Sequence, residues 1–167
     1  MFSAATEKDC EAVGDIATRT FIETYGELYR PENLAQHVIK TCSAEYFRAA
    51  LKAGDNIILL HDAGKLIGYG KVGQMRLPYK DAPKGSQEIH RVYVEKAQQG
   101  RGFGKKLMFE LMALPRITTA PASYLSVYEK NLIAQGLYAH YGFAPVGRYM
   151  YQVGDQYDPE IIMGRVR

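Results

Sequence analysis

The run Gln98-Gln99-Gly100-Arg101-Gly102-Phe103-Gly104-Lys105-Lys106 constrains this chain more than any other stretch. Ahead of it, Ile89, Val92, Tyr93 and Val94 make a short segment of β-branched and aromatic residues, the pattern of a buried strand. Behind it, Leu107, Met108, Leu111, Met112 and Leu114 recur at helical spacing until Pro115 ends the run. Strand, glycine loop and helix form a phosphate-binding layout. The glycines let successive backbone N–H groups turn toward one point, and the following helix adds the positive end of its dipole. Spacing excludes two familiar loops. A P-loop needs four residues between its glycines and then Gly-Lys-Ser/Thr, whereas Gly100 and Gly104 enclose three and Lys105 precedes Lys106. The dinucleotide fingerprint places its third glycine three positions after the second, and here Gly104 follows Gly102 by two.

The remaining chain supplies a framework for that loop. Phe2 to Ala5 reads as a first strand. A helix beginning at Thr6 or Glu7 puts Val13, Ile16, Ala17, Phe21 and Ile22 on one face, and Pro31 fits the first position of a second helix through Leu34, His37, Val38 and Ile39. Ser43 is a candidate N-cap for a third helical piece that stops at Gly54. Ile57 to Leu60 and Leu66 to Val72 then form a hairpin about Asp62-Ala63-Gly64-Lys65, and a polar loop leads to a central strand, Gln87 to Glu95. After the glycine-loop helix, Pro115 to Pro121 is a connection and Tyr124 to Val127 a strand. Leu132, Ile133, Leu137 and Tyr141 mark a helix face, and a hairpin turning at Gly154-Asp155-Gln156 ends the chain. This order predicts a mixed sheet flanked by helices, in a single domain spanning 1–167, since 167 residues suffice to bury a core without staples.

The formal charge of +3 is spread along the chain, which excludes a nucleic-acid-binding stripe. Neither a basic start leading into an apolar stretch nor a bilayer-length apolar run is present, so a cytoplasmic protein with no membrane partner is expected. Cys10 and Cys42 lack Cys-x-x-Cys spacing and read as reduced, buried thiols, with no metal site expected.

Gln99, Gly102 and Gly104 fill the pattern Gln/Arg-x-x-Gly-x-Gly/Ala directly after the strand ending at Val94. This resembles the acyl-coenzyme A pyrophosphate loop of the GNAT N-acetyltransferases. A second segment agrees: Val127, Asn131, Ala134, Leu137-Tyr138 and Tyr141-Gly142-Phe143 resemble the family's Val-x-x-x-Asn-x-x-Ala-x-x-Phe/Leu-Tyr-x-x-x-Gly-Phe. The resemblance implies an α/β (α+β mixed) GNAT fold, with a central mixed, mostly antiparallel sheet of six to seven strands flanked by helices. It implies acetyl-CoA as cosubstrate, no metal, and an enzyme that transfers acetyl to a primary amine by direct attack through a tetrahedral intermediate. Coenzyme contacts would come from Val92, Tyr93, Val94, Gln99, Gly100, Arg101, Gly102, Phe103, Gly104, Lys105, Asn131 and Tyr138. Asn131 could equally be a helix cap.

That reaction asks for three groups. A fixed donor must meet the charge developing on the carbonyl oxygen, for which the Val94 N–H is the candidate. A general acid must protonate the leaving thiolate, for which Tyr138 is the candidate. The ammonium must lose a proton to Glu88 or His90, directly or through water, since these alternate with Val92 and Val94 along one strand face; Glu88 is favoured. His37, His61 and His140 read as surface residues. Among GNAT enzymes the chain is similar to bacterial PaiA-like spermidine/spermine N-acetyltransferases in Thr20-Phe21-x-x-Thr24-Tyr25, Pro31-Glu32-Asn33-Leu34, Glu88-Ile89-x-Arg91-Val92-Tyr93-Val94 and Gly154-Asp155-x-x-x-Asp158-x-x-Ile161-Ile162-Met163. The acceptor implied is a small-molecule polyamine, with Glu23, Tyr25, Glu27, Tyr29 and His90 as substrate contacts, since carboxylates and aromatic faces suit a polycation. The alternatives are a protein N-terminus or lysine, an amino acid or an antibiotic amine, and, in another class, a non-catalytic acyl-CoA sensor. The family also makes a homodimer an expectation, although no interface is marked in the sequence.

Overall fold

The computed structural model describes residues 1–166. Seven strands form one sheet: β1 (Phe2–Ala4), β2 (Asn56–Asp62), β3 (Lys65–Gln74), β4 (Gln87–Val94), β5 (Ala122–Tyr128), β6 (Ala144–Val153) and β7 (Gln156–Val166). Their order across the sheet is β1-β2-β3-β4-β5-β7-β6. Every neighbouring pair is antiparallel except β4 and β5, which are parallel. This is the expected mixed, mostly antiparallel sheet, at the upper end of the expected strand count.

Helices α1 (Cys10–Tyr25), α2 (Pro31–Cys42) and α3 (Ala44–Lys52) precede the sheet's long strands. A capping interaction opens the short 3-10 turn Glu7–Asp9 that leads into the first: the Asp9 carboxylate accepts the Thr6 N–H at 2.7 Å and the Thr6 hydroxyl at 2.8 Å. Ser43 caps α3, accepting the Tyr46 N–H at 3.2 Å. The buried face of α1 carries Val13, Ile16, Ala17 and Phe21, but Ile22, expected on that face, is 45% exposed. In α2 the face is turned: Asn33 and His37, four residues apart, are buried while Ile39 is 72% exposed.

The two faces of the sheet bury different cores. Val13, Ile16, Phe47, Ile57, Leu59 and Tyr69 pack on the side of α1 and α3. On the other side lie α4 (Phe103–Met112) and α6 (Leu132–His140), where Leu107, Met108, Leu111, Leu125 and Tyr138 meet Leu60 and Val72. A Cβ added to Gly70 would stand 2.5 Å from Leu111 Cδ1, so glycine there lets α4 lie close on β3. Between α4 and β5, the expected connection contains a short helix, α5 (Pro115–Thr118).

Two departures from regular pairing shape everything functional. β4 and β5 pair through just Gln87↔Ser123 and Glu88↔Tyr124. Beyond these the strands part, leaving the second half of β4 with an open edge. In addition, a bulge interrupts β3–β4: Lys71 pairs with Arg91 but Val72 with Ile89, so His90 is the extra residue.

Candidate active site

The gap between β4 and β5 is a cavity of about 610 Å³, floored by β4, walled by α6 and roofed by the end of α1 and the residues after it. Glu95 donates its N–H to the Ile67 carbonyl of β3 at 2.9 Å. Because strand groups alternate, the N–H and C=O of Val94 point to the opposite, open edge. The carbonyl accepts the Gln99 side-chain amide at 3.1 Å, which folds the glycine loop back onto the strand end.

Gly100 and Gly102 hold φ of +78° and +81°, a region costly for any residue with a Cβ. This turns the chain sharply into α4. The Gly102 carbonyl accepts the Lys106 N–H at 3.1 Å, so the N–H groups of Phe103, Gly104 and Lys105 form the first helical turn, where no intrahelical acceptor exists. Gly104 has an ordinary φ, and a Cβ there would meet Leu137 at 3.5 Å, an ordinary contact. These free donors and the helix dipole suit a pyrophosphate.

Across the gap, Asn131 caps α6, its side-chain oxygen accepting the Ala134 N–H at 3.1 Å. Its amide lies by the Tyr25 hydroxyl, and burial, then the charge of Glu160, pushes that phenol up to about 12. Tyr138, on the next turns of α6, is buried and lines the cavity. Its phenol is held well above the ordinary range by burial, then by Tyr25 and Glu160, so it keeps its proton at neutral pH.

The other end of the cavity is a chamber of rings. Phe21 contacts Tyr25 at 5.2 Å between centroids, stacks on Tyr29 at 6.2 Å and on His37 at 4.7 Å, and Tyr25 meets Tyr128 edge-on at 6.4 Å. Glu23 and Glu27 stand at its exposed rim, where Glu23 accepts the Lys96 N–H at 2.9 Å.

Of the residues expected at the site, Val92, Tyr93, Val94, Gln99, Gly100, Asn131, Tyr138, Glu23, Tyr25, Glu27, Tyr29 and His90 line this cavity together with Gly104. Arg101, Gly102, Phe103 and Lys105 lie outside its lining. Arg101 pairs with Asp62 at 3.4 Å and covers the Phe103 ring.

Glu88 requires correction. The bulge at His90 breaks the alternation on which its placement rested: Ile89, not His90 or Glu88, shares a core with Val92 and Val94. Glu88 is buried outside the cavity, and one carboxylate oxygen accepts the N–H groups of Arg76 at 2.7 Å and Leu77 at 3.1 Å. Burial raises its pKa against those two bonds. Its geometry is that of a loop clamp. His90 reaches the cavity with both ring nitrogens engaged. Nδ1 accepts from the Lys71 ammonium at 3.0 Å, so Nε2 carries the proton and donates to the Gln74 carbonyl at 3.0 Å. Burial, then the Lys71 charge, lowers its pKa to about 4. His37, expected at the surface, is buried in the ring chamber and likewise lowered to about 4, by burial, then by Arg91 and Lys40.

Sequence reasoning missed Ser126, Tyr128, Tyr151 and Glu160, all in the cavity lining. Glu160 accepts the Tyr149 hydroxyl at 3.1 Å, and that hydroxyl also meets Ser126 at 3.1 Å. A single acidic residue ahead of Ile161-Ile162-Met163 was the available signal, but its facing depends on the β6–β7 register.

A sheet parted at one parallel pair, with a glycine loop at the end of the open strand, is the framework of this cavity. A family model described as an acetyltransferase (GNAT) domain matches residues 25–156, and the chain belongs to that family. An uncharacterized N-acetyltransferase of Lactobacillus delbrueckii subsp. lactis is 26% identical over 159 residues, covering 95% of this chain and 92% of that protein. The spermine/spermidine N(1)-acetyltransferase of Bacillus subtilis is 31% identical over 85 residues, half of this chain and 56% of that one. The structure of the PaiA N-acetyltransferase of Thermoplasma acidophilum, in complex with coenzyme A, superposes with a TM-score of 0.76 over 100% of this chain and 98% of that chain, at 17% identity. Among the described residues, no helix is long and apolar enough to cross a membrane.

Proposed function

We propose that this GNAT enzyme acetylates a small cationic amine, a polyamine of the spermidine/spermine kind, with acetyl-CoA as the second substrate. The observation that carries this reading is the continuity of the cavity. One end is the glycine loop and the first turn of α4, the other is the chamber of tyrosine and phenylalanine rings with carboxylates at its rim, and the Val94 edge and Tyr138 lie between them. Aromatic faces and carboxylates attract alkylammonium groups, and the similarity to the Bacillus subtilis enzyme supports the same acceptor class.

In this reading the free N–H groups from Phe103 to Lys105 hold the pyrophosphate, and Asn131 holds the pantetheine arm. The thioester supplies an activated acetyl group. The Val94 N–H, fixed on the open edge, meets the oxyanion without reorganisation, and Tyr138 gives its proton to the departing sulfur. Much of the acceleration comes from alignment of amine and thioester, which supplies about 7–11 kcal/mol for a well-oriented pair.

The test is thiol release from acetyl-CoA against spermidine, spermine, lysine, peptides with free N-termini and an aminoglycoside. Saturable turnover is expected with the polyamines. Tyr138→Phe is expected to lower kcat on the order of 10²-fold with little change in thermal stability. Turnover with another amine replaces the acceptor. Tight acetyl-CoA binding with no amine acetylated overturns the enzymatic reading in favour of a sensor.

A further inference from the structure

We infer that Glu160 of β7 takes the proton from the acceptor's ammonium, with Ser126 and Tyr149 as positioning residues that aim its carboxylate into the cavity. This rests on the acetyl-transfer reading above and supplies the group that Glu88 does not. Three carboxylates line the cavity, Glu23, Glu27 and Glu160. Glu23 and Glu27 are exposed at the rim, and Glu23 is engaged by the Lys96 N–H. Glu160 is half-buried inside the chamber, near enough to Tyr25 and Tyr138 to disturb both phenols. It therefore faces the same space as the proposed acid.

Its surroundings suit a base rather than a permanent anion. Burial raises the carboxyl above its ordinary value, Ser126 and Tyr149 act against that rise, and the Asp158 charge adds to it. The groups facing it are Ser126 of β5, Tyr149 and Tyr151 of β6, Tyr25 of α1, Tyr138 of α6 and Asp158 of its own strand. Arg91 of β4 acts on Tyr151 behind them. Asp158 is thus the like charge beside Glu160, and the hydroxyls stay neutral.

The step balances. The ammonium gives one proton to the Glu160 carboxylate and becomes a neutral amine. Its lone pair forms the C–N bond at the thioester carbonyl, and the C–S bond then breaks. The sulfur takes the Tyr138 proton, and the nitrogen's surplus proton restores the phenol. Glu160 releases its proton to water, so one amide, one thiol and one proton leave.

The experiment measures thiol release across pH 5–9 for the wild-type protein, Glu160→Gln and Tyr149→Phe, beside coenzyme titration and thermal melting. Glutamine keeps an acceptor for the Tyr149 hydroxyl, so the fold is retained; Glu160→Asp provides a second variant with the carboxylate kept. Expected are a fall in kcat on the order of 10²-fold for Glu160→Gln, loss of the acidic limb of kcat/KM, unchanged coenzyme affinity, and partial recovery of rate and limb in Glu160→Asp. In Tyr149→Phe the limb moves to higher pH, because a hydrogen bond to the charged form is lost. Glu160→Gln turning over within threefold of wild type with its acidic limb intact overturns the assignment alone. A wild-type protein that binds coenzyme and acetylates no amine overturns the acetyl-transfer reading and the assignment with it.

Discussion

Lys71→Met tests the buried charge cluster under the bulge. The Lys71 side chain is fully buried, with its ammonium 2.7 Å from Asp55, whose side chain is 2% exposed, and 3.0 Å from His90 Nδ1. Methionine fills the space of the lysine stem but removes the charge and the donor. Breaking one side of a buried pair costs about 3–5 kcal/mol, because the remaining charge stays out of water. Asp55 keeps Arg76 at 3.3 Å and a more distant contact with Arg116 at 4.0 Å, so the lower end applies, about 3 kcal/mol. In a domain of this size that is a fall in Tm of roughly 6–12 °C. Urea unfolding with an unchanged m-value measures it directly. The double variant Lys71→Met/Asp55→Leu is expected to recover part of the loss, since an apolar pair leaves no stranded charge. A single-variant loss under about 1 kcal/mol, the size of a surface pair, would refute the argument.

His37 and His90 both have pKa values lowered to about 4 in the fold. Between the ordinary histidine value of about 6.5 and that lower value the unfolded chain binds more protons, so these two groups reduce stability as pH falls through that window. The raised carboxyls of Glu88 and Glu160 act in the opposite sense. His37→Gln isolates one contribution: the stability difference between wild type and variant should shrink from pH 7 to pH 4.5 in urea titrations, and a constant difference would contradict it. Gly102→Ala adds a Cβ at φ +81° with nothing within 4 Å to strike, so its cost is torsional, about 1–2 kcal/mol. Gly104→Ala, at ordinary φ, should melt within about 0.5 kcal/mol of wild type.

The half of the cavity formed by the glycine loop and α6 was legible because its signals are local. The glycines at 100 and 102 are demanded by backbone torsion, and Asn131 and Tyr138 keep helical spacing, so neither needed a long-range register. Asn131 proves to be the cap of α6, with its amide still in the cavity. The facing of Glu88 was not legible, because a single bulged residue, His90, inverts the facing of everything before it on β4, and nothing in Glu88-Ile89-His90-Arg91 announces the insertion. The contacts that hold it are long-range: Lys71 and the Gln74 carbonyl, both of β3, anchor the His90 ring, and Asp55, just ahead of β2, pairs with Lys71. Glu160 was hidden for a similar reason, since which way it faces follows from pairing Tyr149 and Tyr128 on either side of it. His37 looked polar and therefore exposed, whereas Phe21 stacks on it and Tyr151 meets it edge-on.

An unsatisfied strand edge is ordinarily an invitation to fibril growth. The outer strands guard against it: β1 is three residues long, and β6 presents Pro145 and Arg148 along its length. The open stretch of β4 is protected by recess. A neighbouring chain would have to bring side chains on both flanks past α6 and the end of α1, whereas a slender, unbranched molecule needs no such clearance. The same break that leaves the sheet incomplete therefore also shelters the edge that it exposes.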